Sequence, residues 1–114
     1  MRVLIFGDSI TQGFWDTSGG WVNRLRNHYD EVQVQDLDKD IPTIFNLSID
    51  GDTSQNILNR IKFETQARIW QENLPTVIVQ IGINDSSAIG SAPSVEIEDY
   101  RTNLVAIIDR KSVV

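Results

Sequence analysis

The sequence predicts an α/β fold built on parallel strands, and three observations carry that reading. Three short apolar runs, Arg2–Phe6, Pro42–Leu47 and Thr76–Ile81, have the length and β-branched content of buried strands. Each is closed by a polar turn: Gly7-Asp8-Ser9, Ser48-Ile49-Asp50-Gly51 and Gly82-Ile83-Asn84-Asp85. The segments between them repeat apolar residues at helical spacing. The resulting order, β-α-β-α-β-α, implies parallel strands joined by right-handed crossovers, with helices on both faces of one sheet.

The elements follow in order. Arg2–Phe6 is a continuous apolar run ended by Gly7. Gln12–Gly20 is a turn-rich loop, and Ser18 is the expected N-cap of a helix with Trp21, Val22, Leu25 and Tyr29 on one face. That helix is expected to end near Asp30. Glu31–Asp40 is polar, with alternating Val32 and Val34, and reads as a loop or weak edge strand. Its Asp36, Asp38 and Asp40 have the spacing of a calcium loop. However, Ile41 stands where that loop needs glycine and Leu47 where it needs glutamate, so a solvated acidic loop is the better reading. Pro42 suits a strand start, where no ladder donor is required. The second helix carries Ile57, Leu58 and Ile61, then shifts to Phe63, Ala67 and Trp70, which predicts a bend before Asn73-Leu74-Pro75 stops it. Thr76–Ile81 is the clearest strand. Ser86–Ser94, with Gly90 and Pro93, reads as a loop. Tyr100, Leu104, Ile107 and Ile108 form the stripe of a last amphipathic helix.

Composition narrows the function. A chain of 114 residues suggests one domain. Sixteen acidic against ten basic residues give a net charge of −6, which argues against a nucleic-acid partner, since phosphate contacts need clustered Lys and Arg. The absence of cysteine excludes disulfides, a thiol nucleophile and thiolate metal sites. The single histidine, His28, excludes a multi-histidine metal site. No metal and no cofactor is expected. The first apolar run is too short for a signal-peptide core or a membrane span, so the cytoplasm is the expected compartment.

Parallel strands bring their carboxyl ends to one edge of the sheet, where ligands of open α/β folds bind. Ser9, Gly51 and Asn84 therefore converge there. That set suits acyl transfer, in which a serine oxygen attacks a carbonyl while a backbone N–H and a side-chain amide hold the developing oxyanion. Each residue also has a plainer role. Asp8 or Ser9 suits a helix N-cap, Gly51 a turn glycine, and Asn84 a turn residue with a local side-chain bond.

In order and spacing, the three turns resemble the consensus blocks of the SGNH, or GDSL-like, hydrolases: Gly7-Asp8-Ser9-Ile10-Thr11, then Gly51 within Ser48–Thr53, then Gly82-Ile83-Asn84-Asp85. The resemblance runs through nearly the whole chain. It implies a three-layer α/β/α, flavodoxin-like fold and a serine hydrolase acting on small-molecule esters, as in esterases, lipases and deacetylases. It assigns Ser9 as nucleophile. The oxyanion hole would comprise the Ser9 N–H, the Gly51 N–H and the Asn84 amide, with Asp8 and Asp85 in support.

The fourth block of that family, Asp-x-x-His, does not occur in this sequence. His28 is expected far along the first helix, roughly 15 Å from its start and away from the catalytic edge. The chain thus resembles the N-terminal part of the domain and is expected to be C-terminally incomplete, with poor activity alone. In the family's 2-1-3-4-5 strand order only 2-1-3 would be present, with strands 4 and 5 absent. That would leave the 76–81 strand with an apolar, unpaired edge, through which a homo-oligomer or segment swap is expected. An alternative is a catalytically inactive relative that binds a small ligand or acyl group. A phospho-receiver-like domain, with Asp8 and Asp85 at strand ends, fits less well. Asp85 lies several residues past its strand and no lysine follows a later strand.

Overall fold

The computed structural model of the chain describes residues 1–89 and 92–112. Its elements are β1 (Arg2–Gly7), α1 (Ser9–Gln12), α2 (Gly20–Gln35), β2 (Thr43–Asn46), α3 (Ser54–Gln66), β3 (Thr76–Gln80), α4 (Ile83–Ser86), β4 (Ala88–Ile89), β5 (Ala92–Pro93) and α5 (Ile97–Ser112). The main sheet has the order β2-β1-β3 and is parallel throughout, with Val3 opposite both Ile44 and Thr76. β4 and β5 form a separate two-stranded antiparallel pair.

β1 is the middle strand, and its side chains alternate between two cores, as strand pleating requires. Leu4 and Phe6 pack with Ile57 and Ile61 of α3 and Ile107 of α5. Val3 and Ile5 face the other way, against Val22 of α2 and Ile44 of β2. The molecule is therefore a three-layer α/β/α fold, which explains why β1 reads as an unbroken apolar run rather than an alternating one.

Four local expectations need correction. α2 is capped by Gly19, in the left-handed region at φ +81°, not by Ser18. The Ser18 N–H instead donates to the Asp16 carboxylate at 2.8 Å. α2 also runs on to Gln35, so Glu31–Gln35 is neither loop nor edge strand. Val32 continues the buried-side spacing of Leu25 and Tyr29, whereas Val34 is 73% exposed, so the apparent two-residue alternation was one helical position and one surface position. α3 ends at Gln66, without continuing through a bend toward Pro75. Phe63 and Trp70 are both exposed and form no second stripe. The chain turns instead between Trp70 and Asn73, with Gln71 and Glu72 at φ +51° and +63°. Trp70 lies against the Arg2 guanidinium, 5.0 Å from ring centroid to Cζ. Finally, the segment read as a loop from Ser86 to Ser94 contains the end of α4 and the β4–β5 pair. Gly90, within that segment, lies outside the described residues.

Among the described residues β3 pairs only with β1. On the face of β3 turned toward α3 and α5 lies an apolar groove of about 380 Å³, lined by Val77, Val79 and Ile81 on the strand side and by Tyr100 and Leu104 of α5. No described helix is long and apolar enough to cross a membrane.

Candidate active site

Each of the three turns is held in place by groups from its neighbours. In the first, Asp8 is buried and caps α1, its carboxylate accepting the Ile10 N–H at 3.0 Å. Its capping role is thus met in full. Ser9 is the first residue of that one-turn helix and is half-buried. Gly7 leaves no room for a side chain, because a Cβ there would overlap Thr11. Thr11 is fully buried and donates its hydroxyl to Gln80 Oε1 at 2.8 Å, and Trp21 Nε1 donates to the same oxygen at 3.1 Å. The Ser9 turn is thereby tied to the end of β3.

The second turn extends the parallel pairing past the end of β2. The Leu47 N–H donates to the Ile5 carbonyl at 2.8 Å and the Ile49 N–H to the Gly7 carbonyl at 3.2 Å. Gln12 reaches across from α1 and accepts the Asp50 N–H at 2.7 Å. Gly51 follows at φ +80°, with nothing within 4 Å of where a Cβ would sit. Glycine is needed there for its backbone angle, not for want of space. Asp52 is anchored by Arg60 of α3. Arg60 Nη2 lies 2.6 Å from Asp52 Oδ2, and the guanidinium rests 5.3 Å from the centre of the Phe6 ring.

The third turn is α4, entered through Gly82 at φ +144°. Asn84 donates an Nδ2 hydrogen to the Asp52 carbonyl at 2.9 Å, one residue from Gly51. Asp85 is buried, and its carboxylate accepts the Ser54 N–H at 3.0 and 3.1 Å and the Ser54 hydroxyl at 2.6 Å. Ser54 in turn accepts the Asn103 amide of α5 at 3.0 Å.

The structure therefore brings Ser9, Gly51 and Asn84 to one edge of the sheet on adjoining turns. The Ser9 hydroxyl and the Gly51 N–H have no hydrogen-bond partner among the described residues, and Asn84 keeps a second amide hydrogen beyond the one it donates. A cavity of about 200 Å³ opens between the first and third turns, lined by Asp8, Ile10, Gln80, Ile81, Gly82 and Ile83. His28 does not join this edge. It is exposed on α2, edge-on to Tyr29 at 5.2 Å, and Tyr29 packs against the core that Val3, Ile5, Val22 and Ile44 form. Near the rim, the Arg24 guanidinium and then the Ser18 N–H hold the Asp16 carboxyl below the usual carboxylate range. Among the described residues no group of three or more metal-ligating side chains clusters.

The sequence model of the GDSL-like Lipase/Acylhydrolase family matches residues 5–113. The chain belongs to that family. Solved structures of similar architecture include a psychrotrophic esterase, EstA, from Pseudoalteromonas sp., inhibited by monoethylphosphonate. It is 25% identical with a TM-score of 0.74, over 98% of this chain and 54% of that one. TesA is 26% identical with a TM-score of 0.72, over 99% and 55%. AlinE4, an SGNH-hydrolase family esterase, is 25% identical with a TM-score of 0.70, over 98% and 53%. This GDSL-like chain thus spans about half the length of those structures. No curated protein matches it.

Several supports of the candidate site went unread in the sequence. Gln12, Gln80, Ser54, Asn103 and Arg60 are single polar residues at the ends or on the inner faces of elements, and their partners lie 8 to 69 positions away. Position at a strand's last residue or a helix's first was the one available signal, for Gln80 and Ser54.

Proposed function

We propose that this chain carries the nucleophile and oxyanion half of a serine ester hydrolase. The carrying observation is the Asn84 amide, held by the Asp52 carbonyl beside Gly51 with one hydrogen left to donate. In this reading Ser9 Oγ attacks the ester carbonyl carbon as its hydroxyl proton passes to water; the C–O bond to the alcohol then breaks, the alcohol leaves with a proton from water, and a second water hydrolyses the acyl-serine. Negative charge builds on the carbonyl oxygen, and the Ser9 N–H, the Gly51 N–H and Asn84 Nδ2 receive it. Donors preset for that charge supply the largest share of stabilisation in acyl transfer. Asp8 and Asp85 support the turns without touching the ester.

His28 stands eight residues, about 12 Å, along α2 from the Gly20 end that packs beside α1, out of reach of the Ser9 proton, and no Asp-x-x-His occurs in these residues. Losing the base of a serine triad costs about 10⁶ in turnover in a serine protease of unrelated fold and like chemistry, or about 8 kcal/mol of barrier. Binding and the oxyanion hole alone sustain about 10³–10⁴ over water. The 114-residue chain is therefore a poor esterase by itself. The same distance of His28 from Ser9 favours, as the second reading, an acyl-binding relative without turnover.

A fluorophosphonate distinguishes the two. Slow phosphonylation of Ser9, detected by intact mass and lost in Ser9→Ala, is expected. A protein unmodified after prolonged exposure, yet retaining a bound fatty acid or ester, would leave the binding reading standing instead. For partners, we assign the free edge of β3 to a second copy of this chain. Its ladder groups facing away from β1 are unpaired by any described strand, and Ile78 is 39% exposed beside them. A concentration-dependent dimer by light scattering is expected at micromolar protein, and a monodisperse monomer there would rule this out.

A further inference from the structure

We propose that Asp85, backed by Ser54 and Asn103, is a positioning residue that fixes the Asn84 amide relative to Gly51. This rests on the reading of Asn84 as an oxyanion donor.

Asn84 and Asp85 are consecutive residues of the one-turn helix α4. Their side chains grip the chain on the two sides of Thr53. Asn84 holds the carbonyl of Asp52 at 2.9 Å, and Asp85 holds the N–H and hydroxyl of Ser54 at 2.6 to 3.1 Å. A single hydrogen bond leaves the Asn84 amide free to pivot about the Asp52 oxygen. The second grip, three bonds to one residue, fixes the α4 backbone against the turn that carries Gly51. The Asp85 carboxylate is only 3% exposed, and Ser54 is fully buried. Charge-assisted bonds in such surroundings are strong and short, so the register they impose is stiff.

At the start of α3 the Asn56 side-chain oxygen accepts the Thr53 N–H and hydroxyl, both at 2.8 Å. The Ser54 N–H, in the first turn of the helix, is left to Asp85. The carboxylate therefore serves the start of α3 and, because it stands on α4, also ties the second turn to the third. Asn103 closes the network from behind. Its amide at 3.0 Å holds the Ser54 hydroxyl oxygen, which leaves the hydroxyl hydrogen directed at Asp85. α5 thus reaches the candidate oxyanion hole through three residues, Asn103, Ser54 and Asp85, none of which meets the ester.

The test is the rate of Ser9 phosphonylation by a fluorophosphonate in the full 114-residue chain, separated into the maximal rate and the concentration for half-maximal rate. Asn84→Ala sets the scale, since removing one oxyanion donor costs about 10²–10³. Asn103→Ala and Asp85→Asn are expected to lower the maximal rate by about 10-fold or more, equivalent to about 1.4 kcal/mol, at unchanged half-maximal concentration. In ¹⁵N spectra, the Asn84 side-chain amide signals are expected to shift in Asn103→Ala. Ile61→Val, a core change without contact to the network, is expected to leave both readouts unmoved. A folded Asn103→Ala with wild-type rate and unmoved Asn84 amide signals overturns the proposal. So does loss of fold in both Asn103→Ala and Asp85→Asn, because the network then serves the fold alone. If Asn84→Ala itself labels at the wild-type rate, the oxyanion reading of Asn84 fails first, and the positioning role falls with it.

Discussion

Replacing Arg60 by alanine tests how the second turn is held. Asp52 and Arg60 are 9% and 18% exposed, and both Nε and Nη2 of Arg60 bond the same carboxylate oxygen, at 3.2 and 2.6 Å. Arg60→Ala would leave a buried carboxylate without its counter-charge and uncover the face of Phe6. Removing one partner of a fully buried pair costs about 3–5 kcal/mol. The remaining exposure admits some water, so about 2–4 kcal/mol is expected here. By contrast, Arg26 and Asp30 form an exposed pair one helical turn apart, worth about 0.3–0.5 kcal/mol. Urea unfolding followed by circular dichroism measures both. With a slope of about 2 kcal/mol per molar, Arg60→Ala should lower the midpoint by about 1–2 M and Arg26→Ala by about 0.2 M. The double change Asp52→Asn with Arg60→Met removes both charges together and should recover at least about 1 kcal/mol relative to Arg60→Ala. A midpoint for Arg60→Ala no lower than that of Arg26→Ala would refute the reasoning. A double variant no better than the single one would show that lost packing on Phe6, not the stranded charge, is what matters.

Three further outcomes are expected. Gly7→Ala should destabilise by about 1–3 kcal/mol in urea unfolding, since its methyl overlaps the buried Thr11 side chain. Gln80→Leu should cost about 1–3 kcal/mol, because it strands the Thr11 hydroxyl inside the protein. It should also change the Trp21 emission by freeing the indole N–H. Arg24→Ala should raise the Asp16 pKa, read by NMR titration, because the guanidinium is the main cause of its lowering. A carboxyl depressed in the folded state contributes stability above its unfolded pKa of about 3.9. That contribution disappears as pH falls through the lowered value, so the pH dependence assigned to Asp16 should lie in that acidic window and weaken in Arg24→Ala, where the Ser18 N–H still holds the carboxylate.

β1 was legible almost to the residue because a middle strand buried on both faces must be apolar throughout, as Val3–Phe6 are; β2 and β3 lie within a residue of their expected ends, whereas the two-residue β4 and β5 were read as loop. The placement of Ser9, Gly51 and Asn84 at one edge was legible too, since it follows from parallel topology alone. Helix ends were not. Val32 and Val34 mimic a strand because two residues cannot separate a period of 2 from one of 3.6. The helices α1 and α4 are four residues each, too short to show any period. Hidden as well was what steadies the site. That Asp85 meets Ser54, or that Gln12 meets Asp50, depends on how turns pack across the sheet, and no local pattern encodes it.

The central place of β1 carries a consequence for how the molecule is made. β1 is synthesised before both of its neighbours, which are encoded near residues 43 and 76. At a synthesis rate of about 5–20 residues per second, the most apolar segment of the chain waits about 4–15 s for its second partner. During that interval one of its edges is open to other chains, and the face that Ile107 of α5 helps to cover is incomplete. The nascent chain is therefore most vulnerable at β1, and chaperone dependence or aggregation during expression should track exposure of residues 2–7 more than any property of the finished fold.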